Sequence, residues 1–163
     1  MPIDRHELER LIPSLRRYAR GLAGNRAAAD DMVQDCLLRA LDREGQFRGE
    51  NLAGWVFAIL TNVGRSAFRS ARRQPTHGDL DGVAGTGDAD PATRIAIVAA
   101  LGGLSDEQRQ PLLLTAVEGF SYREVAEMLD IPIGTVMSRI ARARTALAER
   151  LDGAPVVPIR RIK

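Results

Sequence analysis

The 163-residue chain is short of most of the things that signal chemistry. Cys36 is its only cysteine, so no disulfide can form within the chain. His6 and His77 are its only histidines, and nothing clusters with the spacing of a metal site, so neither a metal nor any other cofactor is expected. No nucleophile–base pair appears. The Gly-rich stretch Gly82 to Gly87 has neither the spacing of a phosphate loop nor a strand before it, so an enzyme is not expected. No apolar run approaches the roughly 20 residues that span a bilayer, and the N-terminus has no apolar signal region. Membrane insertion and export are therefore not expected, and a reducing cytoplasm suits the lone thiol. Lysine is almost missing, since Lys163 is the only one among 23 Lys and Arg residues.

What is present is 45% hydrophobic residues, enough for a real core. The formal charge is only +2, so placement of charge matters more than its total. Arginine in place of lysine suits planar, two-point recognition of phosphate or guanine, and a GC-rich genome produces the same bias. Apolar residues recur at three- and four-residue spacing, and no segment alternates as a strand does. From Gln74 to Thr93 the chain is rich in Gly, Pro and Asp and has no Lys or Arg. The expected fold is all-α: two small helical domains, 1–73 and 94–152, joined by a flexible acidic linker, 74–93, with a tail at 153–163.

In the first half, Asp4 with Glu7 forms a capping-box signature, and Pro13 predicts a kink or break in the helix that follows. Arg26 to Arg43 places Val33, Leu37, Ala40 and Leu41 on one apolar stripe. Asp30, Asp31, Gln34 and Asp35 form a mostly acidic surface beside it. That surface repels DNA, so it faces solvent or a basic protein. After the loop Gly45 to Asn51, a helix from about Leu52 to Arg73 has Val56, Leu60, Val63 and Ala67 on its core face. Asn62, Arg65, Arg69 and Arg72 lie on a neighbouring stripe. With Trp55 and Phe57 close by, that stripe suits phosphate and unstacked bases. The alternative is that the aromatics are core and the arginines a solvated face.

In the second half, Ser105 with Gln108 and Ser121 with Glu124 are two further capping boxes, and Gly119 offers a left-handed helix stop between them. Asp130-Ile131-Pro132-Ile133-Gly134 breaks the second capped helix, and another helix runs on to about Leu151. Two helices joined by a tight turn form the helix-turn-helix pattern. In the last helix Val136, Ile140, Ala143 and Leu147 share one side, while Thr135, Ser138, Arg139 and Arg142 lie on another. Short hydroxyls near the helix start with guanidiniums behind them suit base-edge and phosphate contacts. A charged, solvated outer face is the plain alternative. Cys36 reads as a small, partly buried hydrophobe.

These motifs, in this order, resemble the extracytoplasmic-function group of bacterial sigma factors. The resemblance is densest in Leu104-Ser105, Gln108-Arg109, Leu112-Leu113-Leu114, Glu118 to Tyr122, Glu124-Val125-Ala126, Gly134 to Arg139 and Ala143-Arg144. In the first half, Ala29 to Asp35 is similar to the polymerase-binding helix. Trp55-Val56-Phe57 with Asn62 and Arg69 is similar to the helix that engages the promoter −10 element. The style of Leu15 to Arg20 resembles the general-stress sigma factors of alphaproteobacteria. Ser66 departs from the pattern, standing where many members carry Asp four residues after this Asn.

The resemblance implies an alternative sigma factor that binds core RNA polymerase through the β′ clamp helices and the β flap, melts promoter DNA and is held inactive by an anti-sigma factor. It implies that Asp30, Asp31, Gln34 and Asp35 meet the clamp helices. The loop of Phe47, Arg48, Gly49, Glu50 and Asn51 would capture a flipped −10 base, and Asn62, Arg65 and Arg69 would support the melted strand. Thr135, Ser138, Arg139 and Arg142 would read the −35 element. Two other functions share parts of this pattern. An ordinary helix-turn-helix activator needs no acidic helix and no Trp55 to Arg73 segment. A sigma mimic binds an anti-sigma factor without DNA, and usually carries a receiver domain for which this length leaves no room.

The two promoter elements lie roughly 50–60 Å apart at 34–36 Å per helical turn. A linker of about 20 residues reaches about 65 Å when fully extended, but as a free coil its ends average only about 25 Å apart. A compact unbound chain whose halves are splayed by polymerase is therefore expected.

Overall fold

A computed structural model of the chain describes residues 2–71 and 90–152, without the side chains of 66–71. The readings on Ser66, Ala67, Arg69, Arg72, Arg73, His77, most of the acidic linker with Gly82 to Gly87, and the 153–163 tail lie outside the described residues or side chains. The described residues form seven α-helices and one 3-10 turn, in keeping with the all-α expectation.

Helix α1 spans Arg5–Ala23, and its N-cap Asp4 accepts from the His6 N–H without the reciprocal bond of a box. Where the sequence reading allowed a kink or a break at Pro13, the helix runs through unbroken. Pro13 is exposed, so its ring and the Glu9 carbonyl it deprives of a donor both lie on the wet side. Meanwhile Leu8, Leu15, Tyr18, Ala19 and Leu22 are buried on either side of it and hold the helix continuous. Gly24, at φ +73°, ends α1 by donating to the Arg20 carbonyl.

Asn25 accepts from the Ala28 N–H and starts α2, Arg26–Asp42. A 3-10 turn, Glu44–Gln46, leads through a loop to α3, Leu52–Ala71. Helices α1, α2 and α3 pack pairwise into a three-helix bundle. Gly64 lets α3 come close, since a Cβ there would stand 3.1 Å from Met32 and 3.2 Å from Leu22. Inside the bundle the Tyr18 and Thr61 hydroxyls lie 2.9 Å apart, and Thr61 also donates to the Phe57 carbonyl. Burial raises the Tyr18 phenol above its ordinary range, an effect the Thr61 hydrogen bond opposes.

Helix α4, Pro91–Gly102, begins inside the segment read as linker 74–93. Asp90 accepts from the Thr93 N–H and hydroxyl, and Pro91 fills the first helical position, so three residues of the expected linker are the first turn of a helix. Those hydrogen bonds hold the Asp90 carboxyl below its usual range. Both serine capping boxes are formed, opening α5, Asp106–Ala116, and α6, Tyr122–Leu129. Asp130, at φ +53°, turns the chain into α7, Ile133–Arg150, which packs against α4, α5 and α6.

The two halves are closed on each other, α1 against α5 and α3 against α6. The Phe57 and Phe120 rings meet edge to face at 5.0 Å. Gly21 leaves room for Leu113, whose methyl would lie 2.8 Å from a Cβ. Arg109, 5% exposed, donates to the carbonyls of Leu101, Leu104 and Gly102 in its own half and, at 3.0 Å, of Leu22 in the other. Burial lowers the Arg109 pKa and nearby Asp106 opposes that, but a guanidinium stays charged and its carbonyl partners solvate it. The compact arrangement expected from linker length is thus observed.

Candidate nucleic-acid and partner interfaces

Four buried residues of α2, Ala29, Met32, Val33 and Cys36, turn its acidic residues outward. Asp30, Asp31 and Gln34 are exposed, whereas Asp35 is half-buried and bound at 3.0 Å by Arg39 one turn on. Three acceptors are therefore open and the fourth is partly neutralised. Leu38, 58% exposed, continues the same face; the apolar-stripe reading had passed it over.

The loop before α3 is anchored by Phe47, which is buried and packs at 5.4 Å on the half-buried Trp55. Arg48, Gly49, Glu50 and Asn51 are exposed. Gly49 has φ +84° and Asn51 φ +46°, and the Asn51 side chain accepts from the Gly54 N–H, so this amide caps α3 while the loop bends around it. Between this loop and the start of α1 lies a cavity of about 230 Å³, lined by Pro2, Asp4, Glu7, Phe47, Gly49, Asn51, Leu52 and Ala53. It is large enough for one planar base. The sequence showed no sign that α1 contributes to it, because only the bundle brings residues 2–7 beside residues 47–53.

Along α3, Asn62 and Arg65 are exposed, about 15–20 Å from the loop at 1.5 Å per residue. Phe57 is interior, against Tyr18 and Phe120, so the core alternative holds for it. Trp55 also spends one face on Phe47.

On α7 the four residues grouped by spacing separate into two pairs. Ser138 and Arg142 are open to solvent. Thr135 is half-buried, and the Arg139 side chain is 20% exposed, 3.8 Å from Glu107 of α5. The buried Val136, Ile140, Ala143 and Leu147 explain this, since Thr135 and Arg139 flank them while Ser138 and Arg142 lie further round. Pro132 precedes α7 and has no side chain to cap it, so the first turn keeps unfilled N–H groups suited to an anion. Among the described residues no helix is long and apolar enough to cross a membrane. None brings together three or more metal-ligating side chains.

Two family matches cover the two halves: residues 94–147 match Sigma-70, region 4, and residues 8–61 match the Sigma2 domain of PhyR. The ECF RNA polymerase sigma factor EcfG of Rhodopseudomonas palustris is 40% identical over 159 residues, which cover 92% of this chain and 87% of that protein. The chain is an ECF RNA polymerase sigma factor. The sigma factor SigM of Mycobacterium tuberculosis is 35% identical over 155 residues, covering 91% of this chain and 79% of that one. Among solved structures, the sigma factor RpoE of Bartonella quintana, bound to the anti-sigma factor NepR, matches with TM-score 0.71 at 31% identity, over 93% of this chain and 98% of that one. CnrH, bound to the cytosolic domain of CnrY, matches with TM-score 0.71 at 26% identity, over 92% and 88%. As a sigma factor of the EcfG type, the chain acts in transcription with RNA polymerase and promoter DNA.

Proposed function

We propose that this sigma factor engages polymerase and promoter through the three surfaces described, and that it must open to use them together. The exposed Asp30, Asp31 and Gln34, with Asp35 at the edge, dock on the basic helices of the β′ clamp, where acids at a protein interface gain and acids near DNA would lose. The 47–51 loop and its cavity take one unstacked base of the −10 element, with Asn62, Arg65 and Arg69 along the displaced strand. Helix α7 enters the major groove at the −35 element with Ser138 and Arg142 foremost, Thr135 at its flank and Arg139 recruited from Glu107. The units are 1–73 for polymerase and the −10 element, and 94–152 for the −35 element and the β flap. The action is cytoplasmic.

One observation carries this reading: the acidic face of α2 and the open face of α7 are both on the surface, while the contact between the halves is sealed by apolar and ionic groups. Elements some 50–60 Å apart require those halves to separate. The match of 8–61 to the Sigma2 domain of PhyR and the likeness to RpoE bound to NepR support an anti-sigma factor of the NepR kind as the partner that keeps the chain closed. Run-off transcription with core polymerase on a promoter library, paired with small-angle scattering of the free chain and the holoenzyme, tests the reading. Promoter-specific transcripts and an extended sigma within holoenzyme are expected. No transcripts, or a chain equally compact in both states, would refute it.

A further inference from the structure

The solvent side of α7 consists of two parallel rows. Gly134, Ser138 and Arg142 follow one another at four-residue spacing, and Ile133, Met137 and Ala141 form a second row directly beside them. Ile133 is 47% exposed and Met137 53%, and Ala141 is exposed as well. Four large hydrophobic side chains stand this open among the described residues, and this row holds two of them. The core of the C-terminal half lies on the other side of α7, on Val136, Ile140, Ala143 and Leu147, so among the described residues the row lies outside that core. A contiguous apolar strip facing water marks a contact surface.

The neighbouring row decides which contact. Ser138 and Arg142 carry the polar groups suited to base edges and phosphates, and the uncapped first turn beside Ile133 is suited to a phosphate. A surface continuous with these enters the same groove. The one apolar group that base pairs present in the major groove is the C5-methyl of thymine. A methionine, unbranched and polarisable, adapts to such a methyl without demanding one rotamer. We propose that Met137, with Ile133 behind it, reads thymine methyl groups in the −35 element and so acts as a specificity-determining residue that the polar positions alone do not supply. The inference rests on the reading of α7 as the −35 helix.

Replacing thymine by uracil removes the methyl and nothing else. Holoenzyme made from the full chain and core polymerase first selects its −35 element from a randomised library. Each thymine of that element, on either strand, is then changed to uracil and binding is measured for wild type, Met137→Ala and Ile133→Ala. Wild type is expected to bind about fourfold more weakly at one or two of these positions, the worth of one buried methyl. Met137→Ala should lose a similar factor on the thymine duplex and be indifferent to uracil there; Ile133→Ala should reduce the uracil effect in part. A selected element without A·T pairs, a wild type blind to uracil, or a Met137→Ala holoenzyme that keeps the full uracil penalty overturns the proposal. If Met137→Ala instead weakens assembly with core polymerase and uracil is silent, the row docks protein and the proposal fails. Failure of the underlying reading looks different: wild type then selects no −35 element at all, and Arg142→Ala binds every duplex as wild type does.

Discussion

Arg17 and Glu118, 101 residues apart in the chain, clasp the two halves through a two-point ion pair, with Nε and Nη2 donating to the two carboxylate oxygens at 3.0 and 2.8 Å. The carboxylate is 3% exposed and the guanidinium 42%, and this hydrogen bond is the main reason the Arg17 pKa rises. Arg17→Ala would leave a buried carboxylate without its charge partner in the contact between the halves. Because the arginine is partly solvated, we expect a loss of about 1–3 kcal/mol rather than the larger cost of a fully buried pair. The radius of gyration should increase as the denaturation midpoint falls. An unchanged scattering profile together with an unchanged midpoint would show that the clasp does not hold the halves.

Arg109 bridges the halves by a different route, through backbone carbonyls. Arg109→Lys keeps the charge but cannot reach Leu22, Leu101, Gly102 and Leu104 at once from a single ammonium. A loss of about 3–5 kcal/mol is expected in urea denaturation, most of it from carbonyls left unpaired and a poorly solvated buried charge. A midpoint shift close to zero would mean that water replaces the guanidinium.

Asp31→Arg places a positive charge at the centre of the exposed acidic face. It should abolish binding to core polymerase in a pull-down while leaving the circular dichroism spectrum and melting midpoint intact, since the Asp31 side chain faces water. Retained binding would move the docking face elsewhere.

On the proposed reading of the −35 element, Arg139 leaves Glu107, 3.8 Å away, to reach DNA. Arg139→Ala should lose about 1–3 kcal/mol of discrimination at one base position if its contact is two-point to guanine. Equal weakening on every −35 variant would make it a phosphate contact. Glu107→Gln, which frees Arg139, should strengthen −35 binding modestly at low salt; weaker binding would show that Glu107 positions the arginine productively.

Cys36 lies buried in the bundle with its thiol 3.5 Å from the Val56 carbonyl, and burial pushes its pKa up to about 12, with Asp35 adding to the effect. The unfolded thiol titrates near about 8.5. The folded group keeps its proton to higher pH, so its contribution to stability is complete below the unfolded value and fades as pH rises toward the folded one. At pH 8 a thiol alkylating agent should leave the native protein unmodified by mass spectrometry and label it quickly in urea. Rapid native labelling would show that the bundle opens locally at α2.

Much of this molecule is legible in its sequence. Ser105 and Ser121 cap helices with their own side chains, and Val136, Ile140, Ala143 and Leu147 meet the core because a 3.6-residue period admits few other faces. The resemblance to sigma factors was equally legible, because it rests on residue order. Pro13 signals a kink or a break, but whether a helix survives it depends on which side of α1 is wet, and the sequence does not say. Asp90 and Pro91 read as the end of the linker by composition, although their chemistry is that of a helix start. Spacing of 100° groups Thr135 and Arg139 with Ser138 and Arg142 because it does not say where α5 lies.

Most of the helices, the two serine caps, the acidic and basic faces and the family follow from the sequence alone, since each depends on neighbours within a few positions or on a linear order of motifs. Packing across the chain is what brings Arg17 to Glu118, Arg109 to Leu22 and the start of α1 to the wall of the cavity at the 47–53 loop, and what sets which side of α7 remains open. Those facts join residues dozens of positions apart. Their energy comes from burying groups against one another, and burial is a property of the packed chain rather than of any segment of it.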